Sequence, residues 1–488
     1  MPISFNTIPS NLRVPFAYVE FDNTRAVQGS AQQVYKGLIA GLKLSGGTAN
    51  LNQPYLVTSA SQAKTLFGTG SMAAKMAEKW LANNSFTQLS VIAIAEPGAG
   101  VQAAATITVT GPATAQGSAE ILIGDQKVSV AIASGDTANT IAASINAAIN
   151  ADSELPVTSS VSTNVVTMTV RHKGVHGNEL TAQVNYYEGE ALPTGVSLAI
   201  TAFTAGTLAP DISDLITAMG EEQYNIIAFP FTDAASLTDL EAELLDRWGG
   251  IRQNDGFAFC AKNLSQSALI TFGDGRNSQF VSMMGAYKVP TSTWEFAAGI
   301  AGLVAFHASI DQPRPLQTLQ LTNVLPPKLT ERLTLEERNL LLYDGISTFY
   351  VNPSGNVALE RVITMYQENT FGAPDTSYLN IENMLNLSYL RFDWRTYILN
   401  KYPRHKLADD GTRFGPGQPV VTPNLIKAEA ITKFRDWESQ GRVENFDQFK
   451  EDLIVERNVL DRDRLDIYLP PDLINQLRVT ATQIGFRL

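Results

Sequence analysis

The chain has 488 residues, of which 44% are hydrophobic and 17% are charged, a composition typical of a globular protein of about three domains. Its 36 basic and 48 acidic residues give a net charge of −12, which argues against a general binder of nucleic acid or of anionic membranes. A single cysteine, Cys260, excludes an intrachain disulfide and favours synthesis in a reducing compartment.

The first segment of the chain, residues 1–29, is predicted to be an extended arm. Apolar and aromatic side chains recur through "RVPFAYVEFDN", where no second strand follows closely. An unpaired strand of this kind is an aggregation hazard unless another segment pairs with it. The segment also lacks a basic start followed by an apolar core, so we expect no signal peptide. The side chains expected to make contacts are Val14, Phe16, Tyr18, Val19 and Phe21.

Alternating strand and helix patterns predict an α/β domain built from two separated stretches, residues 30–97 and 207–330. The continuous apolar run "LSVIAIA" (89–95) is typical of a strand that is covered on both faces. Ser71 is placed to cap the helix that follows it. This alternation predicts a mainly parallel sheet with helices on its faces. The most apolar stretch, residues 296–310, is too short to span a bilayer and is interpreted as a buried helix, so no membrane insertion is expected.

Residues 98–206 differ from their surroundings and are predicted to form an inserted β-rich domain. Short Thr-, Val- and Ala-rich strands are joined there by Gly, Asn and Asp turns. A single helix at 136–151 interrupts them, with isoleucines at four-residue spacing. Because the same strand and helix alternation precedes and follows this segment, we interpret it as an insertion into one domain.

The remainder, residues 331–475, is predicted to be an α+β domain, followed by a second arm at 476–488. A hairpin at 347–367 turns at "NPSG", and two amphipathic helices follow it. The closing "QLRVTATQIGF" alternates beyond a Pro-Pro pair and mirrors the first arm. Its expected contact side chains are Leu477, Val479, Ala481, Ile484 and Phe486.

The residue types that act in catalysis or metal binding do not form a recognisable catalytic or metal site in the sequence. His172 and His176 lie four residues apart in a Gly-rich turn, which is interpreted as a solvated turn rather than a metal site. Ser71 in "GTGSMAA" faintly resembles the nucleophile of subtilisin-like proteases, but an extra glycine breaks the motif and capping is enough to explain it. Cys260 is expected to be a small core residue. We expect no cofactor, no metal and no catalysis.

Several phrases in order along nearly the whole chain resemble contractile phage tail sheath proteins of the Mu-like group. These phrases are "RVPFAYVEFDNTRA", the α/β domain with its β-rich insertion, "YDGISTF…GNVALERVITMYQEN" and "PPDLINQLRV". The resemblance implies a homo-oligomer of stacked hexameric rings in a helical array around a tail tube protein, with baseplate and tail terminator proteins as further partners. It also implies a central domain of subtilisin-like topology without protease activity, an outward-pointing insertion and a C-terminal domain on the tube side. Synthesis and assembly in the host cytoplasm, residence in the virion tail and contraction for genome ejection follow from the same resemblance.

Two contacts are hypothesised on this basis. The arms, which the resemblance places on neighbouring subunits, are expected to pair with the hairpin 347–367 of adjacent copies, because backbone bonds to a sheet edge join chains. The acceptor side chains are Phe349, Val351, Val357, Leu359 and Ile363. For the tube, the helix 424–438 would offer Lys427, Lys433 and Arg435 to an acidic surface, although a helix that is merely solvated on its polar face explains these residues equally well.

Two other functions stay open at the level of sequence. A different virion or surface-lattice protein, such as an adhesin, would use the Thr- and Val-rich insertion as its binding module. A degenerate serine hydrolase on an α/β scaffold would instead use Ser71, which a fluorophosphonate probe would label.

Overall fold

The computed structural model describes residues 33–415 and 417–488, together with Val14 and Val19. Contacts divide the described residues into two compact units. The larger unit consists of Val34–Ser388, Phe434–Asp452 and Pro470–Leu488, and the smaller unit of Tyr389–Lys433 and Leu453–Leu469. Apart from Val14 and Val19, the predicted N-terminal strand lies outside the described residues.

The first part of the larger unit has the predicted strand and helix alternation. Ser59 and Ser71 cap its two helices, each side chain accepting a backbone N–H three residues ahead, as Ser71 does from Ala74 at 3.1 Å. The elements are strands β1 (Lys36–Leu42), β2 (Pro54–Leu56) and β3 (Gln88–Ile94), and helices α1 (Ala60–Phe67) and α2 (Met72–Asn83).

The inserted segment forms two antiparallel sheets of its own. Its strands are β4 (Gln102–Thr110), β5 (Gly117–Ile123), β6 (Gln126–Ile132), β7 (Val157–Ser162), β8 (Val165–Lys173), β9 (Ala182–Val184) and β10 (Ser197–Ile200). They pair only with one another, in the orders β10-β4-β8-β7 and β6-β5-β9. One α-helix, α3 (Ala138–Ala151), packs Ile141, Ile145 and Ile149 inward, which confirms the predicted four-residue stripe.

The α/β alternation resumes after the insertion and builds most of the central sheet. The helices are α4 (Ser213–Met219), α5 (Ala234–Trp248), α6 (Gln266–Asp274), α7 (Thr293–Ile310) and α8 (Leu335–Tyr343). The strands are β11 (Ile226–Ala228), β12 (Phe257–Lys262), β13 (Val281–Gly285), β14 (Ile346–Val351) and β15 (Val357–Arg361).

The central sheet has eight strands in the order β15-β14-β13-β12-β11-β1-β3-β2. The six inner strands run parallel, and the edge strands β2 and β15 are antiparallel to their neighbours. The sheet is therefore mixed, with the predicted parallel core. The hairpin β14–β15 belongs to this sheet rather than to a separate domain that begins at residue 331, because β14 continues the parallel order beside β13.

Helix α7 lies in the core of the larger unit. It is long and apolar enough to cross a membrane by length and composition, yet 78% of its apolar window is buried within the protein. Its Gly302 faces Trp80 of α2 so closely that an added Cβ would lie 2.9 Å from the Trp80 carbonyl oxygen. Gly37 of β1 packs against the indole ring of Trp80, and a Cβ added at Gly37 would lie 2.3 Å from a carbon of that ring. The prediction of a buried helix is confirmed.

The C-terminal elements are helices with short strands between them. The helices are α9 (Ile381–Lys401), α10 (Pro423–Ser439) and α11 (Phe446–Asp452). The strands are β16 (Lys406–Leu407), β17 (Val420–Val421), β18 (Val443–Glu444), β19 (Ile454–Arg457), β20 (Leu465–Tyr468) and β21 (Asp472–Leu473). The pairs β16–β17, β18–β21 and β19–β20 are separate two-stranded sheets.

Candidate functional site

The C-terminal arm is fixed at its base and free beyond it. The Arg478 guanidinium lies 2.7 Å from a carboxylate oxygen of the fully buried Glu382 on α9. Gln476 donates to the side chain of Asn383 at 2.9 Å, and Gln317 donates to the carbonyl oxygen of Leu477 at 3.3 Å. From residue 479 to 488 the chain has no helix or strand, and every side chain is exposed.

The exposed part of this arm is apolar. Four of its predicted contact side chains, Leu477, Val479, Ile484 and Phe486, are 73–84% exposed, and Ala481 is exposed as well. Large apolar side chains that are exposed in succession are typical of a surface that another molecule covers. Val14 and Val19 of the first arm are also exposed, whereas Phe16, Tyr18 and Phe21 lie outside the described residues.

One edge of the predicted acceptor hairpin, the outer side of β15, is already covered within the chain. Segment 318–321 runs along the outer side of β15, with Thr318 N donating to Leu359 O at 2.7 Å and Leu359 N donating to Leu319 O at 2.9 Å. Leu321 N donates to Val357 O at 2.9 Å. Of the acceptor side chains, Val357, Leu359 and Ile363 are fully buried, and Phe349 and Val351 are half-buried.

The outer edge of β15 is already saturated by the chain's own residues 318–321, so an arm from another copy has no backbone groups to join there. The covering residues lie in the Pro-punctuated stretch "PRPLQTLQL". Only the fold brings this stretch beside β15.

A different hairpin, β19–β20, has open edges. Its four residue pairs, from Ile454 with Tyr468 to Arg457 with Leu465, form a two-stranded sheet that no third described strand joins. Ile454 and Tyr468 are more than half exposed. Arg457 is held in place by Asp409 at 2.9 Å, which also lies 3.2 Å from Arg462. The sequence reading missed this hairpin because its charged turn, "NVLDRDR", hides the alternation on either side.

The three predicted tube-contact residues are not equivalent. Lys433 is buried, and its ammonium lies 2.7 Å from Asp393, which is only 1% exposed, so Lys433 is not a contact residue. Arg435 is exposed but lies 2.6 Å from Glu438 and over the ring of Phe446. Lys427 is half-buried and has no ion-pair partner among the described residues.

The two predicted turn histidines are buried rather than solvated, which corrects the sequence interpretation. Met72 N donates to His172 Nε2 at 3.1 Å, and the other ring nitrogen lies 2.5 Å from Glu96. His172 therefore carries its proton on Nδ1 and ties the insertion to the start of α2. His176 packs edge-on against Phe231 and Trp294, and burial lowers its pKa to about 3.

This arrangement is not catalytic. Glu96 and His172 would be the acid and base of a hydrolase, but the base accepts from a backbone N–H instead of a hydroxyl. Ser71 is fully buried, and its Oγ accepts from Ala74 N, which confirms the capping interpretation. Burial raises the pKa of the Cys260 thiol, so it is an inert core residue. The described residues contain no cluster of His, Cys, Asp and Glu that could hold a metal.

Buried ion pairs hold the inserted domain against the central sheet. Lys79 of α2 lies 2.5 Å from Asp125, in the turn between β5 and β6, and 3.9 Å from Glu295 of α7. Burial on its own lowers the pKa of Lys79, but Glu295 and Asp125 outweigh it and raise the pKa above its ordinary value. Burial, together with Asp125, also raises the pKa of Glu295.

A second ion pair fixes the other side of the insertion. Glu179 lies 2.9 Å from Lys262 at the end of β12, and Lys262 also donates to Thr232. Tyr186 donates its hydroxyl to the carbonyl oxygen of Pro326 at 2.6 Å. Ion pairs and a hydrogen bond therefore join the inserted domain to the central domain at several separate points.

The described residues thus define an α/β scaffold with a docked insertion, no catalytic constellation and an exposed apolar arm. This is the class of a structural subunit that assembles with other chains.

Comparisons with known proteins agree with this class. The family descriptions "Phage tail sheath protein central domain" and "Phage tail sheath C-terminal domain" match residues 205–365 and 373–487. The Mu-like prophage FluMu tail sheath protein of Haemophilus influenzae is 43% identical over 488 residues, covering all of both chains.

Among solved structures, the sheath tail protein of Desulfitobacterium hafniense matches with a TM-score of 0.50 and 14% identity, over 95% of this chain and 97% of that one. The anti-feeding prophage helical sheath in its contracted state matches with a TM-score of 0.46 and 10% identity, over 97% and 99%.

The chain belongs to the phage tail sheath family. It is a Mu-like sheath subunit of a contractile tail, and its role is structural rather than enzymatic. Sheath subunits form helical assemblies, and the place of this protein is the virion tail. The resemblance first noted in the sequence is confirmed.

Proposed function

We propose that the subunits stack as hexameric rings around the tail tube and are linked by their terminal arms. The exposed, apolar C-terminal arm, anchored only at Gln476–Arg478, is the observation that carries this proposal. An extended segment with unsatisfied backbone groups gains hydrogen bonds by joining the sheet edge of another subunit. Backbone bonds hold the join, and the anchored base transmits force to α9.

The open hairpin β19–β20 is the acceptor that replaces the hairpin 347–367. A two-stranded sheet is marginally stable by itself, so a third and a fourth strand from neighbouring copies would stabilise it. Its exposed Ile454 and Tyr468 would be covered by apolar arm side chains such as Val479. The first arm, residues 12–22, would occupy the second edge. A lattice whose subunits exchange strands stays connected while each subunit moves.

Contraction follows from this arrangement. The extended array is a metastable state, and a signal from the baseplate releases it, so the free energy comes from assembly rather than from a nucleotide. The docked insertion lets the central and inserted domains rotate together. The central domain has a subtilisin-like topology without protease activity. Assembly takes place in the host cytoplasm, with the baseplate and tail terminator proteins as partners. Calorimetry of extended sheath is expected to record an irreversible exothermic transition, and a reversible transition without heat release would contradict stored energy.

For contact with the tube, the side chain that fits best is Lys427 on α10. Lys427 has its charge unpaired among the described residues, and it would face an acidic tube surface. Reversing its charge, Lys427→Glu, is expected to weaken assembly on tubes more at low salt than at high salt, since salt screens exposed charges. Unchanged assembly at low salt would favour a helix that is simply solvated there.

Arm exchange is tested with the full chain, three variants of the arms and one control variant. Wild-type protein is expected to form striated hollow tubes in electron micrographs. Deleting residues 479–488, deleting residues 1–22, or substituting Val479→Asp should leave a folded subunit that forms no tubes. Thr480→Asp, on the opposite side of the same segment, is the matched control and should assemble. Long tubes from either deletion would refute the exchange.

A further inference from the structure

A second open strand edge lies in the larger unit, beside β14. This strand pairs with β13 only through Ile346 and Ser347 and then continues past the end of its neighbour. Asn352 N donates to Asn356 O, and Leu359 N donates outward to Leu319 O, so the backbone groups of Phe349 and Val351 point away from β15. Among the described residues no backbone partner meets them.

A groove of about 270 Å³ runs along this edge. Its walls are mainly apolar and aromatic, and they include Arg332, Leu333, Thr348, Tyr350 and Val351.

Two polar side chains of the groove lack a partner in the described structure, one a hydrogen-bond partner and the other a carboxylate. Thr348 is 2% exposed, and its hydroxyl has no hydrogen-bond partner in the described structure. Arg332 donates from Nε to the Pro327 carbonyl at 3.2 Å but has no carboxylate partner among the described residues. By contrast, the neighbouring Arg338 is fully engaged with Glu360 at 2.8 and 3.2 Å. The positive charge of Arg332 leaves the groove able to bind an acidic group of another chain.

An aromatic knob stands at the other end of the same sheet. Phe371 is 93% exposed at the tip of a tight turn, residues 368–374. The Asn369 side chain accepts from Phe371 N at 2.9 Å and from Ala373 N at 3.2 Å, while Asn369 N donates to Ala373 O at 2.9 Å. The side chain of Asn277 holds the base of the turn through Glu368. A rigidly presented aromatic ring loses little entropy on binding, as interface anchors require.

The knob and the groove lie at opposite ends of β13. Asn277, which holds the knob, lies just before β13 begins at Val281, and Met365 N donates to Val281 O at 3.0 Å. Gly285, the last residue of β13, lines the groove. Two complementary features at opposite ends of one rigid domain form a heterologous contact, which repeats from copy to copy and generates an open helical array.

We infer that Phe371 of one subunit inserts into the groove beside β14 of the next subunit. The exposed Glu368, which has no ion-pair partner in the described part of the chain, then lies against Arg332, so the charges are complementary. This contact deepens the proposed function, since it joins the rigid central domains directly while the arms tether the lattice.

Cysteine cross-linking tests the contact on the full chain. Phe371→Cys combined with Val351→Cys should form disulfide-linked ladders on oxidation, and the native thiol does not interfere because Cys260 is buried. The control pairs Val351→Cys with Ile251→Cys, which is fully exposed elsewhere on the unit. Ladders of equal strength from the control would overturn the inference. A stronger cross-link from Val479→Cys to Val351→Cys would also overturn it, because the arm would then be the occupant.

Association measurements give a second readout. Phe371→Ala should raise the critical concentration for assembly roughly 30-fold, the loss of an anchor residue worth about 2 kcal/mol. Phe86→Ala, which removes another exposed phenylalanine, is the matched control and should change it less than threefold. Glu368→Lys and Arg332→Glu should each weaken assembly, and the double variant should restore it. Normal assembly by Phe371→Ala would refute the knob but leave the sheath function intact, whereas wild-type protein that never self-associates would refute both.

Discussion

The buried lysine that joins the insertion to the central domain offers a quantitative test. Replacing Lys79 by methionine keeps the length of the side chain and removes its charge. The variant leaves the carboxylates of Asp125 and Glu295, both 9% exposed or less, without their shared cation. Lys79 also donates to the carbonyl oxygen of Asn323, and this hydrogen bond is lost as well.

The expected magnitude follows from the distances. At an effective dielectric constant of about 20, charges 2.5 Å and 3.9 Å apart attract by roughly 7 and 4 kcal/mol. Much of this attraction offsets the cost of removing the lysine from water, so the net loss for breaking a buried pair is about 3–5 kcal/mol. With an unfolding entropy of about 2.1 cal/mol/K per residue, a chain of 488 residues loses roughly 4 °C of Tm for 4 kcal/mol.

The loss should depend on pH. Burial and Asp125 raise the pKa of Glu295, so in the folded state this carboxyl holds its proton at pH values where the unfolded chain has released it. A raised carboxyl pKa costs stability as pH rises above the ordinary value of 4.5, and removing the lysine raises this pKa further. The destabilisation by Lys79→Met should therefore be larger at pH 8 than at pH 5.

The assay is differential scanning calorimetry of Lys79→Met beside Lys127→Met. Lys127 pairs with Glu120 and Glu190 in the same inserted domain, but its side chain is 44% exposed, so solvent screens the pairs and its loss should lower Tm much less than the loss of Lys79. If the two variants lowered Tm equally, or if Lys79→Met lowered it by less than 1 °C at pH 8, the insertion would not be held by this buried network.

Three further predictions concern single buried residues. Burial lowers the pKa of His176 to about 3, so the unfolded state binds a proton at pH values where the folded state does not, and the free energy of unfolding should fall by up to roughly 5 kcal/mol as pH drops from 6.5 to 3. His176→Phe should remove this pH-dependent loss in urea titrations, and an unchanged dependence of stability on pH in the variant would contradict the prediction. Gly37→Ala should cost at least about 1–3 kcal/mol because its Cβ would meet the Trp80 ring at 2.3 Å, and an unaltered urea midpoint would show that the ring moves freely. Lys433→Met should destabilise the smaller unit by about 3–5 kcal/mol because it removes the ammonium beside the buried carboxylate of Asp393, and the double change with Asp393→Leu should recover much of the loss, as thermal unfolding will show.

Local patterns in the sequence determined the elements and the order in which they alternate. The apolar run 89–95, the caps such as Ser71 and the isoleucine stripe of α3 each act over a few residues, so they can be recognised without knowledge of the fold. The parallel core of the sheet and the separate β-rich insertion follow from that order. The same local alternation marked the C-terminal arm, and its exposure agrees with that interpretation.

Only the tertiary structure decided which strand edges are open and which polar residues are buried. Segment 318–321 covers β15 although some 40 residues separate them, and no local pattern announces such a contact. Likewise, the position of Lys433 in the sequence is typical of a surface lysine, but in the fold it is buried against Asp393, which lies 40 residues earlier. The sequence predicts that His172 lies in a solvated turn, whereas in the fold it is buried and hydrogen-bonded to Met72 and Glu96. The alternation of residues along a strand determines which side chains lie on each face of the sheet. The partner at each edge of the strand is a segment distant in sequence, so edge pairing depends on the fold of the whole sheet.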